Sequence, residues 1–250
     1  MAQSLRIAQI SDTHIGASHE PYNGVDMRGQ FQRVIAELAR RPLDLLIISG
    51  DLALMDGEIE AYDWIKQQLA DFPVPYLIML GNHDRLETAM SVFNLPKEDV
   101  HHGEFYFYRQ FNECHCLFLD TSSYYLSLNQ QQWLQQMVQQ IKGDILLFMH
   151  HPPTLCACQF MDQHHALRNY QEVWQFFLTL PSIKHIFCGH YHTGCDITVS
   201  DKWIHLTPST MLQIDRVSSE LVLDKKIFGW RMIEWTQNQP LKTTVEYLQN

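Results

Sequence analysis

Residues 77–85 read LIMLGNHDR. Four apolar residues, Leu77 to Leu80, run straight into Gly81-Asn82-His83-Asp84. A buried strand has no use for an amide, an imidazole and a carboxylate packed at its tip, so the strand serves to deliver them. Working outward, the same construction recurs. LRIAQIS (5–11) runs into Asp12-Thr13-His14, and DLLIISG (44–50) runs into Asp51. DILLFMHH (144–151) ends on His150-His151, and IKHIFCGH (183–190) ends on His190 with His192 two residues on.

Between these runs lie stretches with apolar residues at helical spacing, around 26–41, 58–70, 85–94, 129–142 and 166–180. The fourth is glutamine-rich, yet Trp133, Leu134, Met137, Val138 and Ile141 fall on one helical face. Continuous apolar strands alternating with helices predict a sheet covered on both faces. Segment 105–120 breaks the alternation and reads as two strands with no helix between them. The tail is β-rich: DITVS, WIHLTPS, ELVLD and GWRMIEWT. Helical crossovers early and hairpins late predict an α/β fold of two mixed sheets packed together, helices outside, in one domain over residues 1–250.

Open α/β sheets place their sites at the carboxyl ends of parallel strands, where the loops converge. Five strand ends therefore bring Asp12, His14, Asp51, Asn82, His150, His190 and His192 to one rim. Taken singly, each is an ordinary strand-to-loop turn; together they make a metal-ligand set. The donors are oxygen and imidazole nitrogen without thiolate, which suits Zn, Mn, Fe, Ni or Co and argues against a structural thiolate site. Seven donors are too many for one tetrahedral ion. They suffice for two ions if one carboxylate bridges and water fills the rest. Asp12-x-His14 and His190-x-His192 follow an i, i+2 spacing, which on an extended segment points both side chains to one side.

Composition bounds the rest. The 250 residues are 46% hydrophobic, enough for a sizeable core. A net charge of −10 argues against a general nucleic-acid binder, which needs a basic face. An anionic substrate then needs something local and positive to receive it. The opening MAQSLRIAQISDTHIG lacks a signal peptide's basic and apolar segments, and no run approaches the ~18–20 apolar residues of a membrane span. The expectation is a cytoplasmic protein with no membrane partner. The six cysteines include Cys114-x-Cys116 and Cys156-x-Cys158, neither with the C-x-x-C spacing of a zinc site, and are expected to be reduced and packed.

The ordered set D-x-H (12–14), G-D (50–51), G-N-H-D (81–84), H (150) and G-H-x-H (189–192) resembles the calcineurin-like metallophosphoesterase superfamily. Outside the metal motifs, MDQHHALRN (161–169), TPST (207–210) and the closing GWRMIEWTQNQPLKTTVEYL resemble its bacterial class III cyclic nucleotide phosphodiesterase branch. The resemblance covers nearly the whole chain. It implies a four-layer α-β-β-α sandwich and hydrolysis of 3',5'-cyclic AMP to 5'-AMP, with a broader phosphodiesterase, acting on glycerophosphodiesters or 2',3'-cyclic nucleotides, as the alternative.

The resemblance also implies roles. One divalent ion is held by Asp12, His14, Asp51 and His192, and a second by Asp51, Asn82, His150 and His190, with iron and manganese the implied pair and zinc an alternative. A hydroxide bridging ions roughly 3.5–4 Å apart attacks phosphorus in line with the leaving oxygen. Asn82, His83 and His192 face the substrate phosphate. His83 is the general acid, with Asp84 fixing its tautomer by hydrogen bonding. His151 belongs to the core or supports the ligands from behind. From the residues themselves, the long aromatic and polar loop from Pro152 to Asn169 is the expected substrate wall and, by its position beyond the first donor pair, Asn23-Gly24 the opposite lip. His164 and His165 either line the pocket or start a helix. The implied partner is a small phosphodiester or cyclic nucleotide, and a homodimer is compatible with all of this.

Overall fold

A computed structural model describes residues 3–250. The first half runs β1 (Ser4–Ile10), α1 (Met27–Leu38), β2 (Leu45–Ser49), α2 (Ile59–Gln68), β3 (Tyr76–Met79) and α3 (Leu86–Phe93). Four strands follow without a helix: β4 (Val100–His101), β5 (Glu104–Phe105), β6 (Phe107–Phe111) and β7 (Cys114–Leu119). Alternation then resumes with α4 (Leu128–Gln140), β8 (Asp144–Met149), α5 (Gln159–His164), α6 (Tyr170–Leu178) and β9 (Ile183–Cys188). The tail is β10 (Cys195–Val199), β11 (Lys202–Leu206), β12 (Gln213–Ile214), β13 (Leu223–Asp224), β14 (Ile227–Thr236) and β15 (Lys242–Gln249).

Two mixed sheets form the middle. One has the order β15-β14-β1-β2-β3 and the other β10-β11-β9-β8-β7-β6. β1, β2 and β3 are mutually parallel, as are β7, β8, β9 and β11, so their carboxyl ends point the same way within each sheet. The closing hairpin joins the chain's first strand: β14 lies antiparallel to β1 and β15 extends the edge.

Side-chain alternation sorts the layers. In β7 and β8, Cys116, Phe118, Leu146 and Phe148 face the other sheet and share a core with Ile7, Ile47 and Ile48. The intervening Leu117, Leu119, Ile145, Leu147 and Met149 face outward onto Leu134 of α4, Met161 of α5 and Val173, Trp174 and Phe177 of α6. Helices α1, α2 and α3 cover the outer face of the first sheet through Phe31, Val34, Ala61, Ile65, Ala89 and Val92. The result is a four-layer α-β-β-α sandwich. A row of rings crosses the second sheet's inner face: Phe107–Phe118 at 4.4 Å, Phe118–Phe148 and Phe148–Phe187 at 5.1 Å, and Phe187–His205 at 4.5 Å between centroids. The strand registers place these residues directly opposite one another.

Two expectations need correction. The stretch 152–169, read as one long loop, contains α5, and the helix expected at 166–180 is the shorter α6. Asp162 explains the first: its carboxylate accepts from the Cys156 and Cys158 amides, closing a tight turn that α5 continues. All six cysteines are free thiols, five of them buried. No helix among the described residues is long and apolar enough to cross a membrane.

Phe148 sits at the centre of the ring row and is fully buried. Phe148→Ala is expected to lower unfolding stability by about 3–5 kcal/mol, read as a shifted urea midpoint at unchanged slope. Leu128→Ala, at a residue 72% exposed, is expected to move it by less than about 0.5 kcal/mol.

Candidate metal centre

The chain leaves its strands through an unusual series of turns. Asp12 (φ 54°), His14 (43°), Asp51 (50°), His190 (64°) and His192 (46°) all adopt the left-handed conformation. The expectation that the i, i+2 pairs lie on an extended segment is therefore wrong. They converge because each donor sits in its own left-handed kink, which for a non-glycine residue costs about 1–2 kcal/mol. Hydrogen bonds hold the kinks open: Asp12 N–H to Gly50 O and His14 N–H to Asp51 O, both 3.0 Å, and Gly189 N–H to His150 O, 3.0 Å.

The donors meet in three overlapping groups whose ligand atoms lie within 4.8 Å of one another: Asp12, His14 and His192; His14, Asp51 and His83; and Asp51, His150 and His190. Asp51 is common to the last two and His14 to the first two. Asp51 Oδ1 accepts from the His83 N–H at 2.9 Å, which turns Oδ2 towards His150 Nε2 (3.3 Å) and His14 Nε2 (3.8 Å). Asp12 accepts from the His190 N–H through both oxygens and stands 3.4 Å from His192 Nε2.

Backbone carbonyls choose which imidazole nitrogen faces the centre, because a carbonyl only accepts and so fixes the proton on its partner. His150 Nδ1 donates to Ser49 O (2.8 Å) and His192 Nδ1 to Leu212 O (3.2 Å), so each presents Nε2. His190 donates from Nε2 to His165 O (2.9 Å) and presents Nδ1. His14 and His192 point their Nε2 atoms at each other across 3.0 Å. His150 Nε2 and Asn82 Oδ1 are buried with no hydrogen-bond partner among the described residues. An orphaned amide oxygen is expensive unless something positive meets it, and His150 Nε2 has the Asp51 carboxylate beside it.

Electrostatics agree. Burial would raise both carboxylates, but the imidazoles outweigh it: His192 and His150 hold Asp12 at about 2, and His150 with His14 holds Asp51 well below the usual range. Burial lowers His14 to about 4 and His190 to about 3, so both are neutral at pH 7 with lone pairs available. At His150 burial is overruled by Asp51, and the ring is pushed up to about 9. The position seeks positive charge. Carboxylate, amide and imidazole donors without thiolate fit divalent cations of the Mn, Fe or Zn type.

The structure brings all seven expected donors to one rim and separates the neighbouring histidines. His150 reaches Asp51; His151 is turned away, with Nδ1 against Thr121 Oγ1 at 2.9 Å. The expectation for Asp84 is corrected. Its oxygens are taken by the Leu52, Ala53 and Gly81 N–H groups and by the Tyr62 hydroxyl. It ties the second and third strand ends together, while the His83 tautomer is set by Met55 O, 3.1 Å from Nδ1. Tyr124, not singled out from sequence, packs edge-on to His190 at 5.6 Å with Arg168 over its own ring. Its signal was that β7 is parallel to β8, so the β7 end is a sixth one at the rim. A cleft of about 300 Å³ opens above the donors, lined also by Tyr22, Asn23, Tyr124, Phe160 and His165.

A model of the calcineurin-like phosphoesterase family matches residues 5–194, which include every donor. The chain belongs to that family. It is 39% identical over 234 residues, 94% of this chain and 91% of the other, to a probable cyclic nucleotide phosphodiesterase from Fibrobacter succinogenes. It is 31% identical over 257 residues, 98% of this chain and 90% of the other, to the 3',5'-cyclic adenosine monophosphate phosphodiesterase CpdA of Escherichia coli. Among solved structures, a dimetal phosphatase from Danio rerio shares the fold with a TM-score of 0.65 at 14% identity, over 96% of this chain and 98% of that one.

Gly81 in this phosphoesterase leaves no room for a side chain, since a Cβ there would strike the Asp51 carboxylate and His150 Nε2. Gly81→Ala is expected to lose bound metal, read by elemental analysis after gel filtration, while circular dichroism stays that of the parent.

Proposed function

We propose that the enzyme is a binuclear-metal phosphodiesterase that hydrolyses 3',5'-cyclic AMP to 5'-AMP. The observation that carries this reading is the Asp51 carboxylate shared between two groups of donors, with the amide oxygen of Asn82 buried and without a partner. The names of its relatives supply the substrate. Asp12, His14, Asp51 and His192 would hold one divalent cation and Asp51, Asn82, His150 and His190 the other, iron and manganese being the proposed pair. Bound there, the cations supply Lewis-acid neutralisation of the phosphate's non-bridging oxygens and acidify a water enough to attack phosphorus near neutral pH.

The chain's own residues do the rest. Asn82 contributes a neutral oxygen, which limits the negative charge facing the substrate phosphate. His83 stands at the cleft, its ring edge-on to His14 at 4.9 Å. With Nδ1 donating to Met55 O, it must carry a second proton on Nε2 to act as an acid. That proton goes to O3' as the P–O3' bond breaks, leaving 5'-AMP. Asp84 acts through position only, fixing the backbone on which Asn82 and His83 stand.

An acid is needed where the leaving group is a poor one. His83→Ala is expected to slow 3',5'-cyclic AMP hydrolysis by about 10²–10⁴-fold while changing the rate on bis(p-nitrophenyl) phosphate, whose leaving phenolate needs no proton, by less than about tenfold. Equal losses on both substrates would remove His83 from the acid role. On a panel of diesters, turnover is expected to favour 3',5'-cyclic AMP; parity with glycerophosphodiesters would establish the broader phosphodiesterase instead. Exhaustive chelation is expected to abolish activity, and Mn²⁺ to restore it at two ions per chain.

A further inference from the structure

The metal donors account for only the floor of the cleft. One wall is apolar and continuous: Phe160 of α5, Leu212, Ile214 of β12, and Leu221 and Leu223 from the returning segment. Ile214 pairs with Leu223 across the β12–β13 ladder. Leu221, just before β13, and Leu223, its first residue, both line the cleft; Val222 between them is not among the lining residues. This hairpin is tied to its surroundings at three points. Ile214 N–H donates to His192 O at 2.9 Å, Gln159 N–H to Arg216 O at 2.9 Å, and Lys225 Nζ to Asn23 O on the opposite lip at 2.7 Å.

Leu221 is 52% exposed and Leu223 36%. Apolar side chains held in water by a hydrogen-bonded scaffold, beside a set of cation-seeking donors, are a surface awaiting an apolar ligand. Resting on the reading of the centre as a nucleotide-phosphate site, we infer that this wall is a nucleobase subsite that binds by contact area and not by hydrogen-bond readout. Among the described residues lining the cleft there is no arginine, lysine, glutamine, serine or threonine; above the donors the polar side chains are the exposed Asn23 and Tyr22 and the half-buried Tyr124 and His165, none of them shut off from water. An amide open to water discriminates weakly, because water serves the rejected base equally well. A purine of either kind therefore fits, whereas a ligand lacking a base leaves Leu221 and Leu223 wet.

Calorimetric titration of the manganese-loaded protein with product-like ligands tests this independently of turnover. 5'-AMP and 5'-GMP are expected to bind within about tenfold of each other, and both at least about tenfold more tightly than ribose 5-phosphate. The double substitution Leu221→Ser, Leu223→Ser is expected to erase that advantage and leave the affinity for inorganic phosphate unchanged. Val222→Ser, between the two and outside the cleft lining, is expected to change neither. A hairpin that merely props His192 would weaken phosphate and nucleotide alike. Equal affinity for ribose 5-phosphate and 5'-AMP, survival of the advantage in the double variant, or a preference of a hundredfold between the two bases would each overturn the inference. Absence of 3',5'-cyclic AMP turnover by the parent enzyme, with the nucleotide advantage intact, would overturn the proposed reaction and leave the subsite standing.

Discussion

Two carboxylates, Asp12 and Asp51, lie fully out of water within reach of the same imidazole, His150. Buried anions are tolerated only where positive charge and hydrogen-bond donors meet them. The surroundings are built to that requirement. Main-chain N–H groups of His83 and His190 each hold one carboxylate, and four histidines turn ring nitrogens inward. Ser49, His165 and Leu212 carbonyls set those rings from behind. Divalent cations would neutralise the two negative charges more fully than any of these groups.

The sandwich is arranged around this demand. Parallel strands β1, β2 and β3 in one sheet, and β8 and β9 in the other, end at a common edge where their loops meet. Glycines at the strand ends let the loops approach more closely than side chains allow; a Cβ at Gly50 would stand against His150 and the Gly81 backbone. The left-handed kinks at five donors store strain that the packed sheets beneath are stiff enough to carry. The same logic extends outward. Asp84 binds the second strand end to the third, and the β12–β13 hairpin hangs from the backbone of His192. Floor and wall of the cleft are thereby one mechanical unit.

Much of this was legible in the sequence because the strands repeat one design. An apolar run that ends in Asp, Asn or His, with Gly before the donor at Asp51, Asn82 and His190, can be read without neighbours, and five repetitions identify the rim. The Phe160 wall was legible as a long segment of aromatic and polar residues but not as α5, since the turn that starts α5 depends on Asp162 capturing amides four and six residues back. Asp84 misled for a related reason. Adjacency to His83 suggested a partnership, whereas in space its neighbours are Tyr62, Leu52 and Ala53 from other elements.

The sequence by itself determined the periodicities, and with them the layers, the two sheets and which Asp, Asn and His residues stand at the strand ends, because burial patterns and residue chemistry are local properties. Tertiary structure alone decided which nitrogen each histidine presents, that Asp51 lies between two groups of donors, that β14 closes against β1, and that Leu221 and Leu223 look into the cleft. Those outcomes turn on hydrogen bonds and contacts between segments as much as about two hundred residues apart, as in His14 to His192, and no local pattern encodes a partner at that range.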